Sequence, residues 1–222
     1  MPYRITPLVN EEYYHVYNRG VAFQPTSVGQ KDYERFLLCL DYYRHKNVPM
    51  RLSKLLQLQK DEKEKILEII NRDTEVLVEI IAYCLMPNHF HLLLKQVSEN
   101  GISKCLRLLA NSYARYFNTK YERVGPVFQG MFKVVHVQTD EQFIHLSRYI
   151  HLNPLVSYLV KEENFLSYPW SSLKNYLSDS NGIVNPKPVL DHFPSPSIYQ
   201  KFVLDQVDYG KELEKIKHLT HE

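Results

Sequence analysis

One stretch, residues 83–94, most constrains the fold of this 222-residue chain. It reads Tyr-Cys-Leu-Met-Pro-Asn-His-Phe-His-Leu-Leu-Leu, a turn followed by an aliphatic run that is typical of a buried strand. Because successive strand side chains point to opposite faces, His89 and His91 share one face and Phe90 lies on the other. Two imidazoles on one face have a metal-ligand spacing, but they need a third ligand from elsewhere in the chain. In isolation, such a pair is more often two hydrogen-bonded histidines than a metal site.

Three further segments predict strands. Residues 13–19 alternate and end at Gly20. Residues 74–84 lead into the turn before His89, and we expect them to pair antiparallel with the histidine strand around that turn. Residues 127–137 predict a fourth strand with a bulge at Gly130. Apolar residues at three- and four-residue steps predict helices over 32–45 and 102–118, with one or two amphipathic helices over 50–71.

The overall totals indicate one domain with appendages, since 44% of the 222 residues are hydrophobic. The net charge of +2 says little about partners unless the cations are clustered. Three widely spaced cysteines lie in apolar segments and are expected to be reduced core residues. We find no membrane-length apolar run and no secretory segment at the start, and we therefore expect a cytoplasmic protein without membrane contacts.

The segment from Thr139 to Pro154 supplies the missing parts of a site. Thr139 and Gln142 have capping-box spacing, which predicts a helix start, and Pro154 is expected to end the helix. Tyr149 and Asn153 are four residues apart and so share one face. If this face packs over the histidine strand, Asn153 can be the third metal ligand and Tyr149 can stand beside the ion. Taken alone, Tyr149 is more often a packing residue, because the chain has 17 tyrosines.

The net charge of the whole chain is close to zero, but one segment carries a local excess of positive charge. The helix over 102–118 and the residues after it carry cations interleaved with tyrosines, namely Lys104, Arg107, Arg115, Lys120, Arg123, Tyr113, Tyr116 and Tyr121. Such a helix is most often an ordinary solvated face. Cations beside aromatic rings are also suited to a nucleic-acid backbone and its bases.

Several motifs together resemble the single-tyrosine HUH transposases of the insertion-sequence type, and most closely their REP-associated branch. The motifs occur in the family's order over about residues 13–176, as Tyr14-His15-Val16-Tyr17-Asn18-Arg19-Gly20, Met86-Pro87-Asn88-His89-Phe90-His91, Phe128-Gln129-Gly130, Arg148-Tyr149-Ile150-His151-Leu152-Asn153-Pro154 and Pro169-Trp170-Ser171-Ser172. Two departures are the apolar residues after Gly20 and Met131, which stands where the family often has arginine. The set is far more specific than the histidine pair alone.

The resemblance implies an α+β, ferredoxin-like HUH fold, with a central antiparallel sheet and helices on its faces. It implies a domain over residues 1–176 with a helical insertion at about 50–72, followed by a partly helical tail over 177–222. By this resemblance His89 and His91 are the HUH pair, Asn153 is the remaining ligand of Mg²⁺ or Mn²⁺, and Tyr149 is the nucleophile.

The implied activity is cleavage and rejoining of single-stranded, hairpin-flanked DNA of the REP-like palindrome type, through a 5′-phosphotyrosine. We expect a nucleoid-associated monomer or homodimer whose DNA backbone contacts are Arg19, Arg115, Lys120, Arg123, Lys133 and Arg148. Two other functions stay open. A rolling-circle replication initiator or relaxase shares this chemistry, although those chains are usually longer, and a DNA-binding regulator of palindromic repeats would keep the fold without catalysis.

Overall fold

Four antiparallel strands form the centre of the molecule, in the order β2-β3-β1-β4. The computed structural model describes residues 7–178 and 182–212. The strands are β1 (Tyr13–Arg19), β2 (Val78–Leu85), β3 (His89–Gln96) and β4 (Lys133–Val137). The helices are α1 (Gln30–Arg44), α2 (Leu52–Leu55), α3 (Lys60–Arg72), α4 (Gly101–Lys120), α5 (Asp140–Val156), α6 (Glu162–Phe165), α7 (Leu173–Leu177), α8 (Lys187–Leu190) and α9 (Pro196–Leu204). Chain order and strand order together give the ferredoxin-like βαββαβ topology, so the predicted α+β fold is confirmed.

The two central strands place their polar residues on one face of the sheet. In β1 the residues Tyr14 and Val16 are fully buried, while the alternate residues are half-buried. The antiparallel register sets Tyr17 opposite His91 and Arg19 opposite His89. Polar side chains from both strands therefore collect at one end of the same face.

Helices cover the two faces of the sheet differently. Helices α1 and α4 pack together over one face, where the Phe36 ring of α1 lies 5.0 Å from that of Phe90 and 5.2 Å from that of Tyr113. Helix α5 packs over the other face, against β2 and β3. His89 and His91 alternate with Phe90, so they face α5 rather than the aromatic core.

The C-terminal helices pack against α5. Helices α6, α8 and α9 contact α5, and the His151 ring on α5 is fully buried between them and the sheet. Its Nδ1 lies 2.7 Å from the Tyr199 hydroxyl, and its Nε2 lies 2.8 Å from Oγ of Ser172. Burial lowers the pKa of His151 to about 3, so the ring is neutral, and hydrogen bonds at both ring nitrogens anchor it. Residues 179–181 and 213–222 of the expected tail lie outside the described residues.

Predicted boundaries of β2, β4 and α5 differ from the structure. Strand β2 begins at Val78, four residues after the predicted start at 74. The continuous ladder of β4 starts only at Lys133; before it, Phe128 forms a single antiparallel bridge with Gly20, and Gly130 has φ +66, a left-handed conformation. Helix α5 also continues past Pro154, because proline removes a single backbone donor. The next helical turn still forms there, with the Asn153 carbonyl accepting hydrogen bonds from both N and Oγ of Ser157.

The predicted first strand is confirmed residue for residue, and the three cysteines are buried thiols. None of the described helices has the length and apolar character needed to cross a membrane.

Candidate active site

Helix α5 begins where the capping pattern predicted. Oγ1 of Thr139 accepts a hydrogen bond from the Gln142 amide at 3.1 Å, and Oε1 of Gln142 accepts one from the Gln138 amide at 2.9 Å. This cap sets the rotation of the helix, so Tyr149 and Asn153, one turn apart, both point toward the sheet face that carries the histidines.

The resulting depression, which we call the histidine cleft, has a volume of about 860 Å³. It is lined mainly by residues of β1, β3 and α5 and of the segment that leads into and begins β4, including His15, Arg19, His89, His91, Gln129, Lys133, Tyr149 and Asn153. The structure therefore brings together all four residues that the sequence proposed for metal binding and nucleophilic attack.

His89 is oriented by its neighbour in the turn. Its Nδ1 lies 2.7 Å from Oδ1 of Asn88, and an amide oxygen can only accept, so Nδ1 carries the proton. In the neutral ring Nε2 then holds a lone pair, which faces Oδ1 of Asn153 at 3.4 Å. An imidazole nitrogen and an amide oxygen at this separation could both bind one divalent cation.

His91 is nearly buried, with 7% of its surface exposed, and contacts a third histidine. Its Nδ1 lies 2.9 Å from Nε2 of His15, and the two rings stack at 5.1 Å. Burial lowers the pKa of His15 to about 4, so that ring is neutral near pH 7. Among the described residues, no three His, Cys, Asp or Glu side chains form a cluster able to hold a metal. Two imidazoles and an amide oxygen are thus an open ligand set, which leaves coordination positions for water and phosphate oxygens.

Tyr149 stands at the rim of the cleft. Its ring lies edge-on to His91 at 5.4 Å and to His15 at 6.1 Å. The side chain is 39% exposed, in contrast to the buried tyrosines of the core. This position fits a group that must reach a bound polymer, whereas a packing residue would be covered.

The six cations predicted to contact DNA divide into three groups. Arg19 and Lys133 line the histidine cleft, where the Arg19 guanidinium lies 4.7 Å from the Phe23 ring. Arg115 and Lys120 line a different cleft, on the outer side of α1 and α4. The remaining two are held by packing or polar contacts: Arg123 donates a hydrogen bond to Gln24 at 2.7 Å, and the Arg148 guanidinium lies 4.2 Å from the Phe202 ring.

Sequence reasoning placed His15 on the same strand face as Arg19 but did not identify its contact with His91. The available signal was the two-residue spacing of His15, Tyr17 and Arg19, which puts three polar groups on one face of an otherwise buried strand. The pairing itself depends on the register between β1 and β3, which a single sequence does not specify.

Residues 48–153 match the family model described as "Transposase IS200 like". The chain is similar to the IS200-like transposases. The match spans just under half of the 222 residues and includes the histidine pair, Tyr149 and Asn153. It confirms the resemblance drawn from the motifs, and it ends at the last residue of the proposed ligand set.

Two solved structures are also similar to this chain. One is a REP-associated tyrosine transposase bound to a REP hairpin, at 13% identity and TM-score 0.47, covering 82% of this chain and 90% of that one. The other, described as a candidate transposase from Deinococcus radiodurans R1, has 16% identity and TM-score 0.28, covering 67% of this chain and 95% of that one. Both TM-scores are low, so the site assignment rests on the residues and on the IS200-like family match. No curated protein matches this sequence significantly.

Proposed function

We propose that this chain is a metal-dependent tyrosine endonuclease and strand transferase acting on single-stranded, hairpin-flanked DNA. The observation that carries the proposal is the histidine cleft, where Tyr149 lies edge-on to His91 and Nε2 of His89 lies 3.4 Å from Oδ1 of Asn153. The similarity of residues 48–153 to the IS200-like transposases supports the same reaction class.

In this mechanism His89, His91 and Asn153 would hold Mg²⁺ or Mn²⁺, and the ion would polarise the scissile phosphate and offset its negative charge. The Tyr149 oxygen attacks phosphorus, the bond from phosphorus to the 3′ oxygen breaks, and a 5′-phosphotyrosine forms. The proton lost by Tyr149 is balanced by the proton gained by the departing 3′ oxygen. A second 3′-hydroxyl reverses the step and joins strands, so no nucleotide cofactor is needed.

The walls of the cleft position the strand for this attack. Arg19 lies opposite His89 in the sheet register, and Lys133 lies opposite Tyr17 across β1 and β4. Both cations line the cleft, where they can pair with phosphates on either side of the reacting one. Tyr17 lies beside them in the cleft, with its ring stacked on His15 at 4.8 Å and 5.9 Å from the Lys133 ammonium group.

The test is incubation of purified protein with labelled single-stranded DNA hairpins and their flanks, with Mn²⁺, followed by denaturing electrophoresis. We expect the unsubstituted chain to form a protein-DNA adduct and Tyr149→Phe to form none. The matched control is Tyr158→Phe, because Tyr158 is also exposed, at 58%, and does not line the cleft. Equal DNA binding by all three proteins, with no adduct under any divalent metal, would replace this proposal with the non-catalytic DNA-binding function.

A further inference from the structure

Phe23 is an exposed aromatic residue in the wall of the histidine cleft. It lines the cleft together with Arg19, and 60% of its surface is exposed. Single apolar residues are common on protein surfaces, so exposure alone does not indicate a function. Two further observations distinguish Phe23, namely the conformation of its backbone and the contacts that connect it to His89.

The turn that carries Phe23, Val21–Phe23, is strained. Ala22 has φ +50 and Phe23 has φ +59, and in the part of the chain that the structure describes no other two consecutive non-glycine residues have positive φ. A bulky side chain is disfavoured in this left-handed conformation, because its Cβ crowds the backbone. Strain of this kind persists only where the surrounding structure imposes it, and it is concentrated at functional sites.

Hydrogen bonds from the turn before β3 hold the strained backbone in place. The Gly20 amide donates to the Asn88 carbonyl at 2.7 Å, and Nδ2 of Asn88 donates to the Phe23 carbonyl at 3.3 Å. Oδ1 of the same Asn88 side chain accepts the Nδ1 proton of His89 at 2.7 Å. One amide side chain therefore connects the backbone of Phe23 to a candidate metal ligand.

A cation lies against the Phe23 ring. The Arg19 guanidinium is 4.7 Å from the ring centroid, and much of the ring surface is accessible even with this contact. The Tyr17 ring in the same cleft differs, because it is stacked on His15 at 4.8 Å. A guanidinium that packs on a ring can still donate hydrogen bonds from its edge. Arg19 and Phe23 therefore present a donor for a phosphate beside an accessible aromatic surface.

This pair of side chains matches one nucleotide of an unpaired strand. Every base has a π-face that can stack on an aromatic ring, and the adjoining phosphate carries the negative charge with which a guanidinium pairs. In paired DNA the bases are already covered by their neighbours, so an exposed ring selects an unpaired base.

We propose that Phe23 stacks with an unpaired base next to the scissile phosphate, while Arg19 binds a phosphate beside that base. This inference rests on the proposed function for the identity of the ligand. The stacked base holds the strand so that the reacting phosphate lies at His89 and Tyr149. Phe23 is thus a substrate-positioning residue, and it lies after Gly20, where the sequence departs from the motifs of the family that it resembles.

The test compares Phe23→Ala and Phe23→Trp with their parent, all three carrying Tyr149→Phe so that no adduct forms. Fluorescence anisotropy measures binding to a labelled DNA hairpin with single-stranded flanks, and to versions of it that each lack one flank base but keep the backbone. We expect Phe23→Ala to bind the intact hairpin about tenfold more weakly than the parent, and Phe23→Trp to bind it about as tightly. With the base next to the cleavage position removed, the parent and Phe23→Ala should bind equally weakly, since both lack the stacked pair.

The matched control is Tyr158→Ala, because Tyr158 is also aromatic, is 58% exposed, has φ +58 and does not line the cleft. It should bind every probe as the parent does, and circular dichroism checks the fold of all variants. Equal binding of the intact hairpin by the parent and Phe23→Ala would overturn the inference, as would a loss in Phe23→Ala that persists with every abasic probe. Adduct formation on the intact hairpin by the chain with Tyr149 in place decides the proposed function separately and maps the cleavage position.

Discussion

Nε2 of His15 on β1 lies 2.9 Å from Nδ1 of His91 on β3. One nitrogen of this pair must donate and the other must accept. If His91 donates from Nδ1, its Nε2 carries the lone pair that a cation requires. His15 is then a positioning residue that fixes the tautomer of a ligand, a role that carboxylates and carbonyls more often fill.

The first prediction is that His15→Phe weakens Mn²⁺ binding by about tenfold or more, because the ring keeps its place but loses the acceptor for His91. His15→Gln, whose amide oxygen can still accept, should retain most of the affinity. Isothermal titration with Mn²⁺ measures both variants, and circular dichroism checks their fold. Equal Mn²⁺ affinity in His15→Phe and the unsubstituted chain would rule out this role for His15.

The second prediction concerns Asn153. Asn153→Ala removes the oxygen that faces Nε2 of His89 and should abolish measurable Mn²⁺ binding and adduct formation. Asn153→Asp places a carboxylate oxygen at the same point, so we expect it to bind Mn²⁺ at least as tightly as the parent. The backbone bonds from Asn153 to Ser157 do not involve this side chain, so both variants should stay folded. Unchanged Mn²⁺ binding in Asn153→Ala would remove Asn153 from the ligand set.

The third prediction is a pH dependence of stability set by Asp32, which is fully buried at the start of α1. Burial alone would raise its pKa, but hydrogen bonds from Lys120, the Gly29 amide and Tyr121 outweigh that effect and hold the pKa at about 2. In the unfolded chain the pKa is about 3.9. The stabilisation is therefore present above about pH 4 and is lost as the pH falls toward 2.

Urea unfolding at a series of pH values tests this dependence. In Asp32→Asn the free energy of unfolding should be lower by about 3 kcal/mol near neutral pH, because Lys120 loses its buried partner. The same variant should show a smaller fall between pH 4 and pH 2 than the parent. Parallel curves for the two proteins over that range would contradict the assignment to Asp32.

The fourth prediction uses the close approach of α4 to the chain before β2. A Cβ on Gly101 would overlap the carbonyl oxygen of Leu77, so Gly101→Ala should lower the free energy of unfolding by about 1–3 kcal/mol. Gly29→Ala is the matched control, since a Cβ there meets nothing within 4 Å and Gly29, like Gly101, lies at the start of a helix. Its stability should change by only about 0.5 kcal/mol. Similar losses in both variants would point to helix capping in place of steric overlap.

Local periodicity was enough to predict much of the site. The alternation around Phe90 put two histidines on one face, and the Thr139 cap with four-residue spacing put Tyr149 and Asn153 on another. The ends of β4 and α5 were harder to predict from the sequence. The conformation of Gly130 and the continuation of the helix past Pro154 both depend on tertiary contacts.

The cleft on the outer side of α1 and α4 could not be predicted from local pattern. Arg107 and Arg115 were visible as part of a basic helix, but Arg35 and Arg51 are far from them in sequence and reach the same cleft only through the packing of α1 on α4. In the sequence those two arginines have the appearance of ordinary surface cations.

Helix α5 carries both the candidate nucleophile and the third candidate ligand, and His151 anchors it to Tyr199 and Ser172. Under the proposed chemistry, the attached 5′ end of the DNA is therefore immobilised one helical turn from Asn153. Phosphorus then stays where it was captured, and the incoming 3′-hydroxyl must travel to it. The order in which strands are exchanged would then be set by the movement of free DNA ends into and out of the cleft, while the protein itself stays fixed.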